Sequence, residues 1–568
     1  MKREQFFLSA LLHRATKLYN KNLHGYASIE DEKLKDILET AEKWALGGKK
    51  PEQSIPKTSL KPILERLNRD KNYTASYNFE PKKLELHENF FPQKKTNANA
   101  TYTILLDELE KELKNLPITD PSVFIENCYN LLHKYTVTIP FHSALPDVPL
   151  FDHCKTTTAF AICIYDYLQE TQKGKIEPVD KPVLFLGGSI SGIQNYIYNI
   201  ISQFASKNLK GRSFYLQLLI DSIIEKILHE LQLFHANIIY ASGGGFYMLV
   251  PNTEFVQQKV KELEKLISDK LFDQFKLGLT INIESIPLSE NDFMQGEINE
   301  KWKELTNKIN EKKRKKHADR FSSDYSCFFE TAEEGGALKK DTITNEEITA
   351  EHFAKNHVFE VKEDSISEKP STHPEPDKTY ILKLTKQQID LGQNLRETNF
   401  IIKTMQRVPE WEEKALHHEN PLDLGVYWYF FDNLPPKNEQ KTTLIQLNNP
   451  EKFLQVDWND KSKTIHDFTF YGGNKIPRKK SKENSKFGFE PKNFNDLAGE
   501  EEDSFKRLAI LRMDVDNLGN AFKEGLGKES LTFSKYSTLS RSLDYFFKGY
   551  INTIRKKNDA FKEWIYIV

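Results

Sequence analysis

Cysteine is scarce: a chain of 568 residues carries 4, at Cys128, Cys154, Cys163 and Cys327. None belongs to a C-x-x-C pair, which argues against a structural zinc ribbon or a dithiol redox motif and suits a reducing, cytoplasmic compartment. Long apolar runs are missing too. No stretch of about 18 apolar residues occurs, so neither a membrane-spanning helix nor a membrane partner is expected. The opening MKREQFFLSALLHRATKLY is basic at its start, but its apolar run is broken by His13 and Arg14 and no small-residue cleavage site follows, so it reads as an amphipathic helix. Net charge is nearly absent: 80 Lys and Arg stand against 82 Asp and Glu. A uniformly basic surface is thereby excluded, and any polyanion contact must come from local basic stretches.

What the chain does have is ample apolar material, 38% hydrophobic and 12% aromatic, over a length that predicts three or four domains. Residues 1–175 read as a helical domain, with apolar residues at helical spacing (Phe7, Leu11, Leu18) and the long segments ILLDELEKELKNL and TTTAFAICIYDYLQE. Residues 176–300 alternate as strand PVLFLGG, helices to HEL, strand HANIIYA, a glycine turn, strand FYMLVP, helix and strand KLGLTINIES. That order, β-α-β-β-α-β, is the ferredoxin-like or palm arrangement. Residues 301–500 are heterogeneous, with basic, acidic and proline-rich segments, and read as an inserted linker domain with flexible edges. From 501 to 568 the palm pattern begins again with strand RLAILRMDVD, turn, helix and strand WIYIV. By comparison with the first palm, the hairpin, second helix and last strand of the second are expected from beyond residue 568 or from another polypeptide, because an unpaired apolar edge is a poor end for a sheet. The expected fold is thus α+β multidomain.

In LRMDVDNLGNAF, Asp514 and Asp516 stand either side of Val515, so on a strand both carboxylates project from one face. Palm nucleotidyltransferases and cyclases use such carboxylates to hold Mg2+ or Mn2+ against nucleotide phosphates. The plain alternative is an Asx-type turn into the next helix. The matching places of the first palm, GGSISG and SGGGF, bring no carboxylate; Ser191, Gly243, Gly244 and Gly245 are candidates to line a nucleotide cleft, and the alternative is an ordinary tight hairpin. Candidate basic contacts for RNA or phosphate are KGR (Lys210, Arg212), KKRKKHADR (312–320) and PRKKSK (477–482), each of which would otherwise be a solvated helix face or loop.

Through GGSISGIQNYIYNI, LKGRSFYLQLL, IIYASGGGFYMLVPN, PDVPLFDHCKTTTAFA and LRMDVDNLGNAF, the chain resembles the large palm-containing subunit of type III-A (Csm-type) CRISPR effector complexes. The resemblance implies a helical HD-like nuclease domain, two ferredoxin-like palms with a linker domain between them, and a further C-terminal helical domain. It implies synthesis of cyclic oligoadenylates from ATP when target RNA pairs with a bound guide RNA, cleavage of single-stranded DNA, and partners that include a small subunit and a guide-end-binding subunit. Three departures matter. Arg14 stands where the nuclease motif has the metal-binding aspartate after its histidine, so His13 is expected to be a relic and DNA cleavage to be lost. His153 is expected to be structural. Cys327 alone cannot replace the four-cysteine zinc site of many relatives, so no zinc is expected, and Ser189 replaces a common aspartate, which points to a non-catalytic first palm. An enzyme subunit with Asp514 and Asp516 as metal-binding catalytic residues, and a catalytically silent scaffold capping the guide-RNA end, are the two readings carried forward.

Overall fold

The computed structural model describes residues 2–19, 29, 31–48, 56–67, 76–94, 102–143, 145–201, 204–293, 297–323, 325–329, 338–362, 365–450, 463–472, 477–480, 489–492, 494–498, 507–509, 518–527 and 531–556. Five helices open the chain: α1 (Arg3–Tyr19), α2 (Glu32–Ala45), α3 (Thr103–Lys114), α4 (Pro121–Thr136) and α5 (Leu150–Thr171). Local chemistry sets their starts. Asp31 and Asp120 each accept backbone N–H groups of the first turn they cap, and Pro121 sits at the first helical position of α4, where no donor is needed. Helix α5 is buried along most of its length because α1, α2 and later elements pack around it.

A four-stranded antiparallel sheet follows, formed by β1 (Val183–Ser191), β2 (Ile238–Ser242), β3 (Gly245–Pro251) and β4 (Thr280–Leu288) in the order β2-β3-β1-β4. Between the strands run α6 (Ile193–Tyr198), the 26-residue α7 (Ala205–Glu230) and α8 (Glu254–Phe275). The β-α-β-β-α-β order read from the sequence is present. Helix α9 (Ile298–Arg314) lies on β1 and β4, burying Trp302, Leu305 and Ile309, so the expected division at residue 300 falls inside a helix that packs on the palm sheet.

Beyond the short α10 (Ala318–Ser323), two small sheets, β5 (Lys339–Lys340) with β6 (Glu347–Ile348) and β7 (Val358–Val361) with β8 (Thr379–Leu382), flank α11 (Ala350–Ala354) and precede α12 (Lys383–Asn394). A five-stranded sheet comes next, built from β9 (Phe400–Thr404), β10 (His417–Glu419), β11 (Tyr427–Phe431), β12 (Thr442–Leu447) and β13 (Thr464–Thr469), with α13 (Pro409–Glu412) in one connection. Its order is β10-β11-β9-β12-β13, and its last pair is parallel. After a hairpin of β14 (Arg478–Lys480) and β15 (Phe489–Pro491) come α14 (Phe494–Ala498), α15 (Leu518–Lys523), α16 (Phe533–Asp544), a π-helical segment (Tyr545–Tyr550) and α17 (Ile551–Lys556). The expected first strand of the second palm lies mostly outside the described residues, as does WIYIV.

One hydrophobic cluster runs without a break from α1 through α5 and the palm sheet to the five-stranded sheet and α16. Among the described residues three small clusters stand apart, all between residues 343 and 444. Regions read as separate domains from composition therefore share a core.

Candidate functional site

The glycine turn of the palm sheet exposes Ser242 and Gly243. Gly243 and Gly244 have φ of 60° and 81°, the pair of positive values that a two-residue hairpin of this hand requires. Ser189 pairs with Gly245, and the Ile190 N–H donates to the Gly244 carbonyl at 2.8 Å, so the turn sits beside the end of β1 and Ser191. A Cβ on Gly244 would lie 1.9 Å from Ile193 Cδ1, whereas one on Gly243 would meet nothing within 4 Å. One flank of the turn is closed and the other is open to an approaching group. Ser191, Gly243, Gly244 and Gly245 are thus brought together. Asp514 and Asp516 lie outside the described residues.

Lys210 and Arg212 are in the interior, 2% and 3% exposed, and not on a surface groove. The reason is the residue between them: a Cβ on Gly211 would lie 1.6 Å from the Gln388 carbonyl, so α7 and α12 cross at near contact and carry the flanking side chains inside. Arg212 stacks over Tyr196 at 4.2 Å, and the Gln388 amide donates to the Tyr196 hydroxyl. Lys210 instead lines a cavity of about 650 Å³ between α7, β2, the five-stranded sheet and α16, together with Lys155, Lys403 and Arg541. Burial, with Arg396 adding to it, pushes the Lys210 amine down to about 7. The wall of this cavity includes Ile238 to Ala241 of the strand that runs into the glycine turn.

Among the N-terminal helices, Arg14 is 3% exposed and faces Glu42 of α2 at 3.5 Å. His153 of α5 reaches the same carboxylate at 3.7 Å and stacks on Phe141 at 4.4 Å. Burial opposes the charge of Glu42, but His153, Arg14 and Lys17 outweigh it and hold the carboxyl near 2. Burial, with Lys17 adding to it, pushes the His13 imidazole down to about 4. Arg14 and His153 thus share the Glu42 carboxylate, and His13 lies within electrostatic range of all three. Among the described residues no cluster of three or more His, Cys, Asp or Glu is arranged to hold a metal ion. The donor set does not fit one, because the Arg14 guanidinium already pairs with the negative charge that Glu42 would offer a cation.

A neighbouring constellation escaped the sequence reading. Asp152, fully buried, accepts from Ser537 at 3.0 Å, Thr538 at 3.1 Å and Arg541 at 2.6 Å, all on α16. Lys535, 2% exposed, pairs with Asp147 at 3.3 Å, and the Thr156 and Ser534 hydroxyls lie 2.6 Å apart. A second, half-buried set joins His235 to Glu126 and Glu225, each at 2.9 Å, with Lys403 also on Glu225. The only sequence signal for the first was the aspartate beside His153; its partners lie more than 380 residues away.

Comparison with known proteins follows from this geometry. Residues 182–330 match the family model described as Csm1 subunit domain B, and residues 507–567 match the second palm domain of Cas10/Cmr2. Proteins named CRISPR system single-strand-specific deoxyribonuclease Cas10/Csm1 (subtype III-A) from Methanocaldococcus jannaschii and Enterococcus italicus are 28% and 26% identical over 87% and 88% of this chain. Over most of its length the chain is similar to Cas10/Csm1 proteins. It spans 65% and 61% of the length of those two Cas10/Csm1 relatives. The fold is similar to a Csm1-Csm4 subcomplex of the type III-A CRISPR-Csm interference complex, with TM-score 0.64 at 18% identity over 98% of this chain and 70% of the other. Csm1-Csm4 cassettes crystallised with one ATP and with cA4 match at TM-scores of 0.65 and 0.63, each at 18% identity, and cover 98% of this chain and 71% and 70% of theirs. No described helix of this chain is long and apolar enough to cross a membrane.

Proposed function

We propose that this chain is the large subunit of an RNA-guided type III-A effector that makes cyclic oligoadenylates from ATP when target RNA is bound, with the nuclease activity of its N-terminal helices lost. The observation that carries the synthetic half is the open glycine turn beside Ser191, read together with Asp514 and Asp516 of the sequence. Related Csm1-Csm4 cassettes crystallised with ATP, AMPPNP and cA4 support nucleotide binding by this fold. In this reading the backbone at Gly243 and Gly244 approaches the phosphates, since no side chain stands in the way, and Ser191 offers a hydroxyl at the edge of the cleft. Asp514 and Asp516 would hold divalent cations, whose charge polarises the reacting phosphate and helps deprotonate the attacking ribose hydroxyl. The buried Arg14 and Glu42 pair supports the loss of DNA cleavage. Guide RNA, target RNA, a small subunit and a guide-end-binding subunit are the proposed partners.

The test is the complex purified with its companion subunits and guide RNA, mixed with target RNA, ATP and Mg2+. Cyclic oligoadenylate is expected, with Asp514→Ala lowering its rate by more than about 100-fold, the scale for losing a group that acts on developing charge. Single-stranded DNA is expected to stay intact. A complex that binds target RNA but makes no oligoadenylate would establish the scaffold reading.

A further inference from the structure

The basic segment after α9 is not one solvated face. Lys312 is anchored to Glu264 at 2.8 Å and Glu284 at 3.3 Å, and Arg320 pairs with Asp269 while its guanidinium stacks over Phe272 at 4.2 Å. Those two cations hold the segment onto α8 and β4. Arg314, Lys315 and Lys316 between them are exposed and have no acidic partner among the described residues. At His317 the backbone takes a φ of 59°, a left-handed conformation uncommon for a branched ring side chain, and reverses the chain into α10.

Aromatic rings pack around His317, next in the chain to those cations. His317 lies 5.6 Å from Phe272 and 5.9 Å from Phe328, and Phe328 lies 5.6 Å from Phe321. Phe321 packs on Tyr325 at 4.9 Å, and Tyr325 stacks on Phe329 at 4.5 Å with ring planes 23° apart. Yet Phe321, Tyr325 and Phe329 remain 45%, 58% and 59% exposed. Three large rings left in water side by side are costly on a surface with no ligand to cover them.

We infer that this patch is a docking site for single-stranded nucleic acid, with Tyr325 and Phe329 as a stacking platform and Arg314, Lys315 and Lys316 on the phosphates. Charge decides the occupant. Unpaired cations beside exposed rings complement a strand that presents phosphates and unstacked bases together, whereas a duplex hides its base faces and an apolar protein surface would leave the cations unpaired. The site is separate from the glycine turn, and its test involves no turnover of ATP.

The experiment titrates the full chain into 12-nucleotide single-stranded RNA and DNA, each carrying 2-aminopurine, at several salt concentrations. Stacking is expected to quench the fluorophore. Tyr325→Leu with Phe329→Leu should abolish the quench and weaken binding about tenfold, the scale of losing base–aromatic stacks. Arg314→Gln, Lys315→Gln and Lys316→Gln together should retain a quench at low salt while the slope of log K against log salt falls by about 2, from about 0.7 per lost phosphate contact. The RNA and DNA arms show which strand is preferred, and both support the site. Equal binding of the matching duplex, or affinity and quench unchanged in both variants, would overturn it. So would variants that lose a companion subunit while binding the oligonucleotide normally, which would make the patch a protein interface.

Discussion

Arg14 is a single residue that redirects a whole site. With Glu42 at 3.5 Å and both side chains 3% exposed, removing one partner strands the other charge in the core. Glu42→Gln is expected to destabilise the fold by about 3 kcal/mol in a denaturant titration. Because Glu42 is held near 2, below the usual carboxylate value, the stability it contributes is present above about pH 4.5 and is lost as pH falls through 2. The E42Q variant should therefore lose less stability than the parent between pH 5 and pH 2. His235 has the opposite sign. Burial works against its charge, but Glu126 and Glu225 raise the imidazole to about 10, so its contribution is complete below about pH 6.5 and is lost as pH rises toward 10. A falling melting temperature between pH 6.5 and 9.5, absent in His235→Asn, is the expected signature.

Among the elements, α16 docks by polar groups as well as by the apolar Phe533, Tyr536 and Leu539. Asp152, Asp147 and Thr156 meet Arg541, Ser537, Thr538, Lys535 and Ser534, and a shift of one residue along the helix would leave buried charges unpaired. The network thus specifies register more than it adds stability. Asp152→Asn is expected to speed amide hydrogen exchange in residues 533–544 at least tenfold, about 1.4 kcal/mol of local opening, while β1 keeps its protection. Equal loss in both would mean a global effect and no register role. In sequence α16 follows the segment bearing Asp514 and Asp516, and it packs on α5 of the N-terminal helices.

For the molecule as a whole, the shared core carries the consequence. Helix α5 is covered on one side by α1 and α2 and on another by β3 and α16, so a fragment of residues 1–175 exposes a large apolar face. Expressed alone, it is expected to lack a cooperative thermal transition and to be digested by protease where the full chain resists. A sharp transition in the fragment would show an independent domain.

The sequence by itself determined the local and periodic features: the helices of the first region, the palm strand order, the glycine turn and the motifs that carry the resemblance. Each rests on spacing or on residues close together in the chain, which are legible without coordinates. Arg14 at the nuclease motif was legible for the same reason, as a chemical mismatch at one position. Tertiary structure alone decided which side chains face each other. Lys210 and Arg212 read as surface cations until Gly211 was seen against α12, the basic run divided into anchors and free charges only once α8 and β4 lay beside it, and Asp152 had no visible role until α16 arrived. Burial and pairing depend on contacts across hundreds of residues, and no local pattern encodes them.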